Sequence, residues 1–566
     1  MEFKINFRIA ILIAFVLSGM AALIYQIVWI RPLQFIFGST VYTVSIIFGA
    51  FMLGLALGSF FIGKKIDEIK NLPFAYALLE MGIGLYGVLL LSIFNLLPKI
   101  YNSLYFLHLD FYIFEIMKFL VVFLVLLIPT TLMGATFPVI TKFYTREKVG
   151  KGVGEVYSAN NVGAILGSFA AGFILIPVIG IKGSVIFAGS INLLVASAIL
   201  LKIDKKFANK AVPFTLLLFF ILVYFGNYNI QQMHSGGFYK TNPDIEKLGD
   251  VVYYSEGVYS TVTVRELTKE KLIKEKAKVL FINGIGQGGT EIYDLRVNFL
   301  LAYIPDLIKS EIDNALVVGL GTGMTSGQLA QFTKVTTVEI EPKVVEASKH
   351  FELFNLNLMN NPNNSLIMGD ARNFLLKNDK KYDVIISEPT SIWQSFSSQL
   401  YSKEFLEIAG DDLKDDGLFV KWVPIYSMSV EDFRNFYKTF SSVFPNVAAF
   451  ANIKPEENTP VKFGTSEILL IGSKSEIVFD REKFKENYGS LPEISKSYLD
   501  AISLSSGEEV YQLFLFNDMD LRGYANDAEI VADDNLLLEF STAKNILDSN
   551  SEKIIDDLNK FLGVYG

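Results

Sequence analysis

Cysteine is absent from the 566 residues, and histidine occurs only at His108, His234 and His350. No disulfide framework can form, and three scattered imidazoles cannot build a Cys/His zinc site or a Cys–His nucleophile pair. Charge is also sparse. Only 19% of residues are Asp, Glu, Lys or Arg, while 51% are hydrophobic and 14% aromatic, a balance that fits no array of soluble domains. Nearly all long apolar runs fall before about residue 227, so one half reads as membrane and the other as soluble. Charge divides at the same place: residues 1–226 hold 17 Lys+Arg and 9 Asp+Glu, and the remainder 33 and 50. A soluble half this acidic repels a phosphate backbone, which argues against nucleic acid and in favour of cationic or neutral partners.

Lys4 and Arg8 precede an apolar run over 9–30 that is too long for a signal-peptide core, so it reads as an uncleaved first span. Further apolar stretches cover 40–63, 74–98, 113–140, 156–180 and 183–201, with a shorter one at 211–226. The expectation is an all-α polytopic bundle of about seven spans over residues 1–227. Ala50, Gly54 and Gly58, and again Gly163, Gly167 and Ala171, recur at the spacing that lets helices pack closely. Gln26, Glu80, Glu115, Lys118, Asn160 and Asn161 lie in or beside spans, where polar groups are costly unless they face the interior or one another. Both interhelical hydrogen bonds and a substrate or lipid pathway fit them. The connections on one side carry 13 Lys+Arg, against Arg31, Lys99 and Lys182 on the other, which puts the N-terminus in the cytoplasm. Seven crossings would then put the soluble half outside, whereas an interfacial 211–226 would leave it in the cytoplasm.

Beyond the spans the pattern turns to short β-rich runs. Residues 250–266 and 278–283 suggest a small antiparallel sheet, within a linker and β domain over 228–310. Asn314-Ala-Leu-Val-Val-Gly-Leu-Gly-Thr-Gly323 then reads as a buried strand running into Gly319, Gly321 and Gly323, followed by a helix. The next strand, 334–340, ends in Glu339. Glycines let a backbone approach its ligand, and an acid at the tip of the following strand accepts both ribose hydroxyls. Gly369-Asp370-Ala371-Arg372 supplies an adenine contact after a third strand, and 381–390 reads as a fourth strand ending in an acidic loop. With strands at 417–423 and 467–472, the spacing predicts an α/β Rossmann-like, doubly wound nucleoside-binding domain over 311–475. Residues 476–566 are left as a C-terminal extension or cap, in which 481–530 matches no motif.

At this point the chain resembles the membrane-fused relatives of spermidine synthase, the polyamine aminopropyltransferases. Leu17-Ser-Gly-Met-Ala-Ala-Leu-Ile-Tyr-Gln-Ile-Val-Trp29, Leu132-Met-Gly-Ala-Thr-Phe-Pro138 and Tyr157-Ser-Ala-Asn-Asn161 are similar to that family's membrane signatures. Gly257-Val-Tyr-Ser-Thr261, Ile282-Asn-Gly284 with Gln287, the glycine loop, Val338-Glu-Ile-Glu-Pro342, Ser387-Glu-Pro389 and Asp533-Asp-Asn-Leu-Leu-Leu-Glu-Phe540 are similar to its soluble ones. The resemblance implies a pocket for S-adenosylmethionine or its decarboxylated form, built from Gly319, Gly321, Thr322, Gly323, Glu339, Asp370 and Ala371. Glu388 stands where soluble relatives have the Asp that helps deprotonate the acceptor amine. Gln287, Tyr259, Ser391 and Trp393 become acceptor contacts, Trp393 by stacking on a cation. No metal is required.

The departures from that pattern are also informative. Thr322 replaces an Asp implied to hold the donor's amine, Ser391 replaces a second Asp, and Asn298 and Phe299 stand for a His-Glu pair. Glu291 and Asp294 are candidates to replace the lost carboxylates, and Trp422 reads as core. The leading expectation is an integral-membrane transferase moving an aminopropyl group to an amine, with Glu388 as general base; a homodimer is compatible with it. The alternatives are methyl transfer from intact S-adenosylmethionine to a membrane-associated acceptor, and a transporter or sensor with a nucleoside-binding regulatory domain.

Overall fold

An apolar run of twenty residues gives its backbone no partner in lipid except its own helix, and the first part of the chain is helical throughout. A computed structural model describes residues 2–145, 149–226, 228–229, 249–272, 275–309, 311–395, 397–452, 466–545 and 550–563, the side chains of 2–7 and 268–275 excepted. His234, Arg146, Lys148, the Lys4 side chain and most of the expected linker lie outside the described residues. The chain divides into two units: Met1–Gly38, Tyr42–Phe238 and Glu256–Val258 form one, and the remainder forms the other.

In the first unit the helices are α1 (Glu2–Phe37), α2 (Val41–Lys65), α3 (Leu72–Phe94), α4 (Leu97–Tyr105), α5 (Phe111–Tyr144), α6 (Val149–Ala170), α7 (Ile176–Ile203) and α8 (Lys205–Phe225). Among the described residues six helices are long and apolar enough to cross a membrane. About seven stretches were expected, and the difference lies in one of them: Val149–Ile203 counts as a single helix of 55 residues. A straight helix of that length is roughly 80 Å long, well over twice the hydrocarbon thickness. It is relieved by a π-helical turn at Ala171–Leu175 and by Gly180, whose φ of 72° breaks the helix. The small-residue stripes mark close helix contacts. A Cβ on Gly54 or Gly58 would come within 2.0 Å of Thr130 or Thr131 of α5, and one on Gly163 or Gly167 within 2.2 Å of Val16 or Met20 of α1.

The second unit opens with an antiparallel sheet of β1 (Asp250–Glu256), β2 (Thr261–Leu272), β3 (Glu275–Ile282) and β4 (Ile285–Gly289), in that order. The run expected as one strand over 250–266 is two. Helix α9 (Ile292–Lys309) follows, buried along most of its length. The main sheet comprises β5 (Asn314–Val318), β6 (Lys334–Glu339), β7 (Asn364–Met368), β8 (Tyr382–Ser387), β9 (Leu413–Val423), β10 (Asn446–Ala451), β11 (Ile468–Ser473) and β12 (Phe514–Asn517). Its order is β12-β10-β11-β9-β8-β5-β6-β7. The five strands from β9 to β7 are parallel, and β11, β10 and β12 are antiparallel additions. β8 is buried along its whole length and β5 from Ala315 to Val318, as strands covered on both faces must be. The order reverses between β5 and β8, and the crevice beyond their carboxyl ends is where such sheets bind ligands.

Residues 481–530 contribute to the core of the second unit. Phe484, Tyr488, Leu499, Val510 and Leu513 join the same hydrophobic core as α9 and β5, and β12 extends the sheet by pairing with β10. The segment lacks a recognisable motif because its task is packing, which many apolar sequences satisfy.

Candidate active site

Register decides which side chains share the crevice. Gly319 N donates to Val338 O at 3.0 Å, Glu388 N to Val318 O at 3.2 Å and Gly369 N to Glu339 O at 2.9 Å. The ladder thus continues past the strand ends, aligning the glycine loop, Glu339, Asp370 and Glu388 around one cavity of about 820 Å³. Gly319 has φ +92°, and a Cβ there would sit 2.9 Å from Glu388 O, so the loop can pass Glu388 only without a side chain. Gly321, Thr322, Ala371, Gln287 and Tyr259 also line the cavity, while Gly323, with φ +79°, starts the short helix α10 (Met324–Leu329).

Glu339 is 7% exposed. Its Oε2 accepts from Leu320 N at 2.9 Å and its Oε1 from Glu341 N at 2.8 Å, so the carboxylate braces the glycine loop and keeps lone pairs facing the cavity. Burial pushes its pKa up, opposed by the backbone N–H groups of Glu341, Leu320 and Ile340. Asp370 lines the cavity and caps the helix Ala371–Leu375 by accepting from Asn373 N at 2.8 Å. Beside it Arg372 is held by Asp533.

Glu388 Oε2 accepts from Thr325 Oγ1 at 2.8 Å. Burial pushes this carboxyl up to about 7, the Thr325 hydroxyl opposing and Asp294 adding to the rise. Two further acids face the same space. Burial raises Asp294 to about 6. Burial and then the nearby Asp294 raise Glu467 to about 8. Glu467 Oε2 is buried and has no hydrogen-bond partner among the described residues. The negative charge of Asp294 adds to the rise at Glu388 and Glu467, and that of Glu388 to the rise at Glu467, so each charge there disfavours the next.

Several sequence expectations need correction. Ser391 and Trp393 do not reach the cavity wall. Ser391 is 1% and Trp393 2% exposed, and Trp393 packs edge-on against Tyr426 at 5.8 Å, so that Tyr426 presents the ring to the cavity in its place. Trp422, read as core, lines the cavity because β9 carries it past the sheet's edge of cover. Of the two replacement acids, Asp294 lines the cavity and Glu291 does not. Sequence reasoning missed Glu467, Glu341 and Thr325. Glu341 could have been found from its place before Pro342, where it caps the helix Pro342–Ser348 through Lys343 N; its other oxygen accepts from Tyr259 N and Ser260 N, both at 2.9 Å. No sequence signal marks Glu467, which stands just ahead of β11.

Behind Glu388 lies a lysine that no motif suggests. Lys421 is fully buried on β9, and its Nζ donates to Ser387 Oγ and Leu400 O, both at 3.0 Å, over the ring of Tyr401 at 3.6 Å. No carboxylate pairs with it among the described residues, and burial holds its pKa well below the usual lysine range. It ties Ser387, the residue before Glu388, to Leu400 on the cavity wall. Because an uncompensated buried cation costs stability, Lys421→Met is expected to leave Tm unchanged or higher while lowering kcat about tenfold by loosening Glu388. Thermal unfolding and steady-state kinetics on one preparation check this; a fall in Tm parallel to kcat would make Lys421 structural.

The fold and the cavity together define a doubly wound domain with a buried carboxylate, Glu388, facing a cavity at the carboxyl ends of its parallel strands. Residues 295–464 match the spermine/spermidine synthase domain. Among curated proteins, polyamine aminopropyltransferase 2 of Aquifex aeolicus is 24% identical over 415 residues, covering 71% of this chain and 76% of that protein. The polyamine aminopropyltransferase of Corynebacterium efficiens is 27% identical over 301 residues, covering 51% and 56%. The chain thus spans about three quarters of the first relative and about half of the second. A solved spermidine synthase in complex with the transition-state analogue AdoDATO aligns with 44% of this chain and 88% of its own, at 20% identity and a TM-score of 0.36. Residues 295–464 are thus similar to the spermine/spermidine synthase domain, and the relatives found are aminopropyltransferases, in line with the sequence resemblance. Its apolar helices fit a membrane-fused variant.

Proposed function

We propose that the protein is an integral-membrane aminopropyltransferase that moves the aminopropyl group of decarboxylated S-adenosylmethionine to an amine acceptor, residues 311–475 forming the donor-binding domain. The observation carrying this reading is the charge of the cavity wall: among the described residues Asp294, Glu339, Glu341, Asp370, Glu388 and Glu467 line it, against one cation, Arg372, which Asp533 holds. A donor carboxylate would meet no unpaired cation there. A donor without that carboxylate and an acceptor bearing ammonium groups would instead neutralise the wall. Methyl transfer from the intact donor is therefore the weaker reading, and a sensor would have no need of a base.

In the proposed step Glu339 and the glycine loop fix the donor's nucleoside part, with Asp370 toward the adenine. Asp294 and Glu467 hold the acceptor's charged end between Trp422 and Tyr426. Glu388 receives the proton of the attacking amine. The nitrogen lone pair forms a bond to the carbon beside the sulfonium, the C–S electron pair returns to sulfur as a neutral thioether, and the proton passes to Glu388. The Lys/Arg bias puts the N-terminus in the cytoplasm, and seven crossings would put the transferase domain outside; reporter fusions at residue 2 and residue 566 test this.

The decisive experiment is calorimetric titration of the detergent-purified protein with S-adenosylmethionine and, separately, its decarboxylated form. Tighter binding of the decarboxylated form by roughly tenfold or more is expected, the intact form having to place a carboxylate against an acidic wall. Preference for the intact form would overturn the reading in favour of methyl transfer.

A further inference from the structure

The helical unit contains a polar cluster that the transfer reaction does not use. Glu80 of α3 is 0% exposed. Its Oε1 accepts from Ser18 Oγ of α1 at 2.5 Å and its Oε2 from Asn192 Nδ2 of α7 at 2.6 Å, with the Tyr76 hydroxyl beside it. No ion pair reaches Glu80 among the described residues. The contrast within the same unit is direct, because Glu115 of α5 is matched by Lys118 Nζ at 2.5 Å. An unneutralised carboxylate in an apolar bundle carries a prohibitive desolvation cost, so something besides protein balances Glu80.

Two further atoms lack partners. Asn192 Oδ1 and the Tyr25 hydroxyl are buried, on residues 1% and 0% exposed, and neither has a hydrogen-bond partner among the described residues. Asn192 already donates to Glu80, so its orphaned oxygen lies within the cluster. Tyr25 lies apart from it, where α3 and α7 come together: an added Cβ on Gly87 would meet the Tyr25 ring and hydroxyl at 2.6 Å, and one on Gly189 would meet Phe219 at 2.8 Å and the Tyr25 hydroxyl at 3.2 Å. Orphaned buried oxygens are rare and call for an occupant.

We propose that Glu80, Ser18 and Asn192 form a binding site for a small monovalent cation of sodium's size. One carboxylate supplies one negative charge, which a monovalent ion neutralises. The free lone pairs all belong to oxygen, the ligand of hard cations. The glycine contacts between α3 and α7 leave no room for an organic ammonium or a hydrated ion. The bound ion would tie three helices that are far apart in sequence, and it gives the bundle a task separate from anchoring.

Thermal unfolding of the full-length protein in detergent, at fixed pH and ionic strength, tests the site with sodium, lithium, potassium and choline chlorides. A saturable rise in Tm with sodium, absent with choline, is expected from preferential binding to the folded state. Radiolabelled sodium should bind at one equivalent per chain. Glu80→Gln, which keeps the side-chain shape, should abolish both signals. Should that variant fail to fold, Ser18→Ala should fold and raise the half-saturating sodium concentration by roughly tenfold, for the loss of one oxygen ligand. Equal Tm in all four chlorides, or a sodium response that survives Glu80→Gln, would overturn the proposal. So would a Tm that responds to pH alone, which would make a proton the occupant.

Discussion

Glu388→Gln is expected to lower kcat by about a hundred- to ten-thousandfold, the contribution typical of a positioned general base. The substitution preserves shape and the Thr325 contact, and it leaves Glu339 and the glycine loop untouched, so donor affinity should stay near that of the parent. The pH profile carries an independent signature. With its carboxyl pushed up to about 7, Glu388 accepts a proton only in the fraction that is ionised, so kcat/KM should rise with pH through neutrality and fall on the acid side. The variant should lose that limb. Stability runs the opposite way. A carboxyl whose folded pKa lies above its unfolded value favours the fold at low pH and loses that contribution as pH rises toward 7. Glu388→Gln removes this penalty, so at pH 8 its Tm should equal or exceed that of the parent. Initial rates across pH, with thermal scans of both proteins, check the three outcomes together. A variant that keeps most of its kcat would remove Glu388 from the chemistry.

What could be read in the sequence is what depends on short-range pattern. The apolar helices follow from the refusal of lipid to hydrogen-bond the backbone, and β5 with its glycine loop follows from a buried strand meeting positions that require positive φ. Glu339 was legible because it ends the strand paired with β5, at a fixed distance from that loop. The proposed acceptor side was legible only at Asp294, a candidate from the start; Trp422 and Glu467 were not. Asp294 comes from α9, Trp422 from β9 and Glu467 from the start of β11, three elements separated by long stretches of chain, and only the sheet order brings them to one wall. Trp393 shows the converse. Closeness in sequence to Glu388 suggested closeness to the substrate, yet the turn after Pro389 sends its ring inward against Tyr426.

Lys421 and the Glu80 cluster were illegible for a related reason. A lysine in a strand reads as a solvent-facing residue of an edge, and nothing in its neighbours says that its ammonium is spent on Ser387 and Leu400. A glutamate in a span announces itself by cost alone. Its partners, Ser18 on α1 and Asn192 on α7, are revealed only once three helices are packed.

Glu339→Ala is expected to weaken donor binding by at least about a hundredfold, because hydrogen bonds from two ribose hydroxyls to a charged carboxylate each contribute roughly 1.5–3 kcal/mol. Removal also leaves Leu320 N and Glu341 N without their acceptor, so a loss of affinity could come from the loop as well as from the ribose. A cycle separates the two. Donor and a 2′-deoxy analogue are each titrated into the parent and into Glu339→Ala by calorimetry. If the carboxylate holds the hydroxyl, the analogue binds the parent about tenfold or more weakly than the donor, and the variant binds both alike. If Glu339 acts only by bracing the glycine loop, both ligands weaken together and the deoxy penalty persists in the variant. Direct contact is the expected result: both bracing bonds run to backbone N–H groups behind the strand tip, and a carboxylate has twice as many lone pairs as those two donors occupy.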